Sequence, residues 1–391
     1  METRHSNPID LSLKRIQEFK QKLCLDPKFK IITVAGTNGK GSVCFYINQI
    51  LLHSNSKIGL YTSPHFFDFN ERIVINNKKC FESEILEALQ YILGFENSDK
   101  LTFFEITTLA TIFIFEKHNI DIAILEVGLG GRLDAVNAFE PDISVITSIG
   151  LDHTEFLGET LEDIAVEKSG VMRTNKPCVI GEEHCVDILK KQALEINAQP
   201  YFFNKDFDSN IIPFDKNHLT YVQQKNLSCA IFTLQQLGMC SLISNLRENL
   251  LHQNFFGRFN RISKKPEIFI DVAHNFDSVK NLVQSLLELS NKKTYFVFSI
   301  LKDKDLSSIL KLFSDLTCKF EWLVAELNNP RAQKLTFIEN NLEKNNFIFE
   351  TTDSIKKAYE LALKKATNDD RIIVFGSCYV ISEIFECNYA E

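Results

Sequence analysis

No Cys-x-x-Cys pair occurs among the ten cysteines of this 391-residue chain, and no window of about eighteen apolar residues runs uninterrupted. The first absence argues against a zinc ribbon or a thioredoxin-type motif, and the second against a membrane-spanning helix. A basic balance is missing as well. The formal charge of -8 gives no general attraction to nucleic acid or to an anionic membrane, although it leaves room for a local basic pocket for phosphates. The opening Met1-Glu2-Thr3-Arg4-His5-Ser6-Asn7 has no apolar signal core and no internal repeat is evident, so the expected location is the cytoplasm. Most cysteines sit in apolar runs such as Ser42-Val43-Cys44-Phe45 and read as reduced core residues. The 33 phenylalanines read as compositional drift and not as a stacking surface.

What is present alternates. Apolar runs at 31–35, 57–62, 121–127, 142–147 and 176–180 read as buried strands, and segments of helical period at 42–54, 82–93, 104–118 and 160–168 as helices. A second series begins near Glu267, with strands at 267–272, 294–299, 320–325, 346–350 and 371–375 and helices such as 277–289 and 353–365. This alternation predicts two α/β domains, each a parallel sheet covered by helices. The polar Ser263-Lys264-Lys265-Pro266 lies between the two series and is the expected linker, which gives domains 1–263 and 264–391. Ligands of open α/β sheets sit at the carboxyl ends of strands, in clefts such as two domains would form.

Chemistry-bearing residues gather at those ends. The run Ile31-Ile32-Thr33-Val34-Ala35 turns directly into Gly36-Thr37-Asn38-Gly39-Lys40-Gly41-Ser42, a glycine-rich segment that opens a helix and would cradle phosphates with backbone N–H groups and the charge of Lys40. Gly36 stands three residues before Gly39, where the common phosphate loop needs five. Strand 121–127 runs into Glu126-Val127-Gly128-Leu129-Gly130-Gly131-Arg132-Leu133-Asp134, a carboxylate followed by glycines that permit close approach of a metal-bound phosphate; a glycine-rich hinge with an ion-paired Glu is the alternative. His153 follows strand 142–147, and Lys168 closes the next helix, where composition alone makes it a solvated helix-end cation. In the second series Asp271-Val272-Ala273-His274-Asn275 ends a strand, and Arg258 just upstream is able to grip a phosphate bidentately. A surface ion pair for Arg258 and a helix cap at Asp271 or Asn275 are the plainer readings.

Together with Tyr61-Thr62-Ser63-Pro64-His65, Asn70-Glu71-Arg72, Leu101-Thr102-Phe103-Phe104-Glu105, Leu151-Asp152-His153, Glu167-Lys168-Ser169-Gly170 and Gly376-Ser377, these segments occur in order over nearly the whole chain. They resemble the folylpolyglutamate synthase and dihydrofolate synthase family, in particular its bifunctional bacterial members, within the Mur ligase-like ATP-dependent amide ligases. The short glycine spacing is itself a mark of that group. The resemblance implies an N-terminal P-loop-type, mostly parallel sheet domain that holds ATP and pterin, and a smaller Rossmann-like C-terminal α/β domain. It assigns ATP to Thr37, Asn38, Gly39, Lys40, Asn226, Arg258 and Asp271, and magnesium to Ser63, Glu126 and His153. Lys168 matches a lysine that is carbamylated in relatives and then serves a second magnesium. Pro8, Ile9, Asp10, Leu11, Thr102, Phe103, Phe104, Glu105, Leu133, Asp134 and Ala135 match positions that contact dihydropteroate. Lys40, Arg258 and Lys168 carry the catalytic expectation. Three features depart from the family pattern: the sequence begins close to Ile9-Asp10-Leu11, so the helix that usually precedes it is expected to be absent or the start site to be misassigned, Ser12 stands for a glycine, and Phe276 for a proline.

The implied reaction is ATP-driven amide ligation. A carboxylate is phosphorylated to an acyl phosphate, and the amine of L-glutamate then displaces phosphate, first on dihydropteroate and later on the γ-carboxyl of reduced folates. The expected partners are these small molecules only, with no nucleic acid or membrane, and the expected state is a monomer. A muropeptide ligase of the same fold is the near alternative, and a non-catalytic nucleotide-binding module the distant one.

Overall fold

A computed structural model describes residues 12–217, 219–244, 246–247 and 256–385. These form two compact units. The first takes the described residues up to His65, then Phe69–Gly150, and those from Thr154 to 247; the second takes Phe66–Asp68, Leu151–His153 and the described residues from 256 onward.

The first unit is built on an eight-stranded sheet of β1 (Lys30–Ala35), β2 (Ile58–Tyr61), β3 (Ile73–Ile75), β4 (Lys78–Lys79), β5 (Ile122–Glu126), β6 (Ile143–Ile146), β7 (Pro177–Ile180) and β8 (Gln199–Phe202), in the order β4-β3-β2-β5-β1-β6-β7-β8. β1 is central and parallel to both β5 and β6, with Val34 opposite Glu126 and Ala35 opposite Ile146. Burial on both faces explains why β1 reads as an unbroken apolar run. Ile31 and Ala35 join one core layer with Ala123 and Leu125, while Ile32 and Val34 join the opposite layer with Ile122, Ile124 and Val145. The helices Lys40–Leu51 and Tyr221–Gln236 cover the second face through Val43, Ile47, Leu227 and Ile231, and Glu82–Leu93 and Phe103–Lys117 cover the first through Ile85, Leu89, Ile106 and Leu109. β3 alone is antiparallel to its neighbours, β2 and β4, and it turns into β4 through Asn76 and Asn77, both with positive φ; the short lysine edge of β4 blunts further pairing.

The second unit holds a six-stranded sheet of β9 (Asn260–Lys264), β10 (Glu267–Ile270), β11 (Thr294–Phe298), β12 (Phe320–Val324), β13 (Phe349–Thr351) and β14 (Arg371–Phe375), in the order β13-β12-β11-β14-β10-β9. All neighbours are parallel except β9 and β10, where Lys264 faces Glu267. In the polar Ser263–Pro266 stretch the first two residues close β9 and Lys265-Pro266 turn into β10, so the stretch is a hairpin within the second unit and not a linker. The sequence does not show this, since β9 itself is polar and its burial is low. Phe296, Phe298, Phe313 and Phe375 pack around Trp322, with ring centroids 4.8 Å (Phe313) and 4.9 Å (Phe296) from the indole. The abundant phenylalanine thus fills a core layer, which composition alone did not reveal.

Candidate functional site

Because β1, β5 and β6 are parallel neighbours, their carboxyl ends open on one edge of the first sheet, and the loops that follow them interlock. Thr37 N donates to Ser148 O (2.7 Å) and Asn38 N to Ser148 Oγ (3.0 Å), while Thr147 Oγ1 and Ser148 Oγ donate to Asn38 O at 2.7 and 2.9 Å. Thr37 Oγ1 accepts from Gly150 N at 3.0 Å. With those two loop N–H groups engaged, the backbone donors left for an anion are those of the helix start. The first intrahelical bond runs from Val43 N to Gly39 O, so the N–H groups of Gly39 to Ser42 have no partner within the helix. Asn226 lies against this start: a Cβ at Gly39 would come within 2.8 Å of its Oδ1. Lys40 folds back over the loop and donates to Gly36 O (3.0 Å) and Thr37 O (3.2 Å), which holds its ammonium at the cradle.

One strand over, Glu126 is buried and its Oε2 accepts from Ser63 N at 3.0 Å, which ties the ends of β2 and β5 together. A carboxylate and a serine hydroxyl are hard oxygen donors of the kind magnesium takes. Among the described residues no group of three or more His, Cys, Asp or Glu side chains is poised for a metal, so an ion here would draw its remaining ligands from water and phosphate oxygens. The glycine run after β5 packs against the end of the helix Leu161–Ser169: a Cβ on Gly131 would lie 2.7 Å from Glu167 O and 2.9 Å from Lys168 Cα. Lys168 is 3% exposed, so it is not the solvated helix-end cation that composition suggests.

The segment Thr102–Glu105 forms the start of the helix Phe103–Lys117 as a capping box. Thr102 Oγ1 accepts from Glu105 N, and the Glu105 carboxylate accepts from Thr102 N at 2.7 Å and from Arg15 Nε at 3.3 Å. Phe104 stacks on Tyr61 and presses on Gly128, while Phe103 meets Phe69 edge-on. Asp134 is buried, and its carboxylate accepts from Leu129 N and Val136 N, both at 2.9 Å, which closes the glycine loop onto the 3-10 turn Ala135–Ala138. Burial pushes its carboxyl up to about 6, against the pull of those N–H groups. Leu133 is half-buried beside it and Ala135 buried. Pro8, Ile9, Asp10 and Leu11 lie outside the described residues.

In the second unit Asp271 is no helix cap. Its oxygens accept from Phe259 N and Ala273 N, both at 2.7 Å, and burial raises its carboxyl to about 6 although the Arg258 guanidinium opposes the rise. Asn275 does cap the helix Phe276–Leu287. Its amide also donates to Asp152 Oδ2 (2.9 Å), whose carboxylate further receives Lys304 Nζ (2.6 Å) and lies 3.4 Å from His274 Nε2. Burial works against this carboxylate, but His274 and Lys304 outweigh it and hold Asp152 well below the usual range. His153, with φ of +51°, has its imidazole pushed down to about 4 mainly by burial, so at neutral pH it is uncharged and fit to give a lone pair to a metal.

Two family models match the chain, the Mur ligase middle domain over residues 34–260 and the Mur ligase, glutamate ligase domain over residues 257–378. The dihydrofolate synthase/folylpolyglutamate synthase of Buchnera aphidicola subsp. Schizaphis graminum is 34% identical over 92% of this chain and 88% of its own length, and that of Escherichia coli 31% over 99% and 93%. The chain belongs to the dihydrofolate synthase/folylpolyglutamate synthase family. It is accordingly an ATP-dependent ligase with the two-part α/β fold of the Mur ligases. E. coli FolC in complex with DHPP and ADP matches it with a TM-score of 0.86 at 31% identity, covering 98% of this chain and 94% of that one. The bifunctional enzyme of Yersinia pestis complexed with AMPPNP and Mn ion matches with 0.85 at 31%, covering 97% and 94%.

The sequence singles out Gly36–Ser42, Glu126 and Thr102–Glu105, and it leaves Asp152 and Lys304 without a role. The alternating charges of Lys302-Asp303-Lys304-Asp305 were the available signal, but such a run usually marks a solvated loop, and only the fold shows Lys304 side chain to be 5% exposed.

Proposed function

We propose that this chain joins L-glutamate to dihydropteroate and to the γ-carboxyl of reduced folates. The observation that carries the reading is the register of Val34 with Glu126, which sets the phosphate loop and a buried carboxylate at the ends of adjacent strands. In the first unit ATP is assigned to Thr37, Asn38, Gly39, Lys40 and Asn226; the assignment of Arg258 and Asp271 to ATP rests on the family resemblance alone. The acid substrate is assigned to Thr102–Glu105, Leu133, Asp134 and Ala135. Ser63 and Glu126 are the magnesium ligands of the first unit, with Lys168 serving a second ion as its carbamate; His153 as a ligand rests on the family resemblance alone. Bound magnesium would neutralise charge on the phosphates.

The chain's own part is positioning and electrostatics. The helix-start N–H groups hold phosphate oxygens, and Lys40 exchanges its loop carbonyls for the γ-phosphoryl oxygens as charge spreads over them. A carboxylate oxygen of the acid attacks the γ-phosphorus, ADP leaves, and an acyl phosphate forms. Glutamate's amine then attacks the acyl carbon, gives up a proton, and phosphate leaves with amide formed. The expected setting is the cytoplasm, where the buried Cys44, Cys178 and Cys229 would stay reduced.

Mass spectrometry of products from dihydropteroate and from tetrahydrofolate, each with ATP and glutamate, tests the reading. One added glutamate on each acid is expected. ATP turnover that neither acid stimulates sinks it.

A further inference from the structure

We propose that Arg72 is the anion anchor for the acid substrate, taking a carboxylate of dihydropteroate or of a reduced folate between the terminal amino groups of its guanidinium. The proposal rests on the reading that the acid lies along Thr102–Glu105. Arg72 ends the 3-10 turn Phe69–Arg72 and is only 7% exposed. Its one hydrogen bond from the side chain among the described residues is from Nε to His65 Nδ1, at 2.9 Å. An imidazole nitrogen that accepts carries no proton, so His65 is neutral in this pairing and offers no counter-charge. The rings of Phe69 and Phe103 stand 5.6 and 5.4 Å from the guanidinium carbon and keep water from those sides. Among the described residues no carboxylate pairs with Arg72, and its neighbour Glu71 pairs with Lys79 instead.

A nine-tenths buried cation with no anion beside it among the described residues is costly to keep, and a guanidinium with Nε used still has the fork that matches a carboxylate. Its surroundings place that fork on the path of the substrate. Arg72 O accepts from Thr62 N at 3.0 Å, next to Ser63, and Phe103 on its other side opens the segment assigned to the acid. A carboxylate held here would lie between the metal-side strand end and the pterin-side helix start.

The experiment measures dissociation constants of dihydropteroate, its uncharged carboxamide and tetrahydrofolate for the native enzyme, Arg72→Gln and Arg72→Lys, with a non-hydrolysable ATP analogue as control. The native enzyme should prefer the acid to the amide by about ten- to a hundredfold. Arg72→Gln should bring that ratio within about threefold while leaving the ATP analogue's affinity in place, and Arg72→Lys, a point charge without the fork, should fall between. A purely structural role would weaken acid and amide alike and keep the ratio. Loss on dihydropteroate and tetrahydrofolate together assigns the reacting carboxylate to Arg72; loss on tetrahydrofolate alone assigns its α-carboxylate. An unchanged acid-to-amide ratio together with an unchanged tetrahydrofolate affinity in both variants overturns the proposal. A native enzyme that binds neither acid overturns the underlying substrate reading instead.

Discussion

Replacing Gly36 by alanine tests whether the loop after β1 is held by packing against the loop after β6. Gly36 has φ of +149°, a conformation an L side chain adopts at a cost of about 1–3 kcal/mol. A Cβ there would also overlap Thr147 Oγ1 and stand 3.1 Å from Thr147 Cβ, and overpacking a full interior adds about 1–3 kcal/mol. Gly36→Ala should therefore destabilise the first unit by about 2–6 kcal/mol and, by shifting the phosphate cradle, lower ATP turnover by about a hundredfold. Thr147→Ala removes the overlapping hydroxyl. Alone it costs about 1 kcal/mol, because Ser148 Oγ still donates to Asn38 O at 2.9 Å. The double variant should then be less destabilised than the two singles summed, by about 1–3 kcal/mol. Urea unfolding by far-UV circular dichroism reads the whole chain. The only tryptophan, Trp322, lies in the second unit, so its fluorescence separates a loss there from one in the first. Additivity within about 0.5 kcal/mol, or a Gly36→Ala protein as stable and active as native, refutes the interlock.

Four further outcomes are expected. Lys40→Ala removes a charge whose interaction with a phosphoryl oxygen at about 4 Å is worth about 4 kcal/mol at an effective dielectric near 20, so kcat should fall about a thousandfold with the fold intact; unchanged turnover contradicts the assignment. Glu126→Ala should abolish magnesium-dependent turnover and weaken Mn binding measured by electron paramagnetic resonance, while normal metal affinity removes Glu126 from the ligand set. Asp134 has a folded pKa of about 6, raised by burial, so the stability it contributes is complete below about pH 4 and is lost as pH rises through 6. The stability of the native protein relative to Asp134→Asn should accordingly drop by up to about 3 kcal/mol between pH 4 and 8, and a pH-independent difference would contradict the shift. Carbon-13 bicarbonate should label native protein with a carbamate resonance that Lys168→Ala lacks, and its absence from active native enzyme ends the carbamate reading.

What the sequence disclosed, and what it hid, follows from where the information lies. Strands buried on both faces announce themselves as apolar runs, so β1, β5, β6, β11 and β14 stand within two residues of where the pattern puts them. β3 and β4 total five residues, too short for a period to register, and only the adjacent Asn76-Asn77 hinted at their turn. The site divides the same way. Gly36 to Ser42 and Glu126 are legible because a loop and a strand end concentrate their chemistry in consecutive residues. Arg72 and Lys304 are not, since each becomes unusual only through burial, and burial depends on partners distant in sequence. His65 and Phe103 surround Arg72 from 7 and 31 positions away, and Asp152 meets Lys304 from 152 away. Charged residues with ordinary neighbours in sequence but a dry environment in the fold are thus where function is hidden, and Arg72, with its neutral imidazole partner, is the case in this chain that an acid and its amide can put to the test.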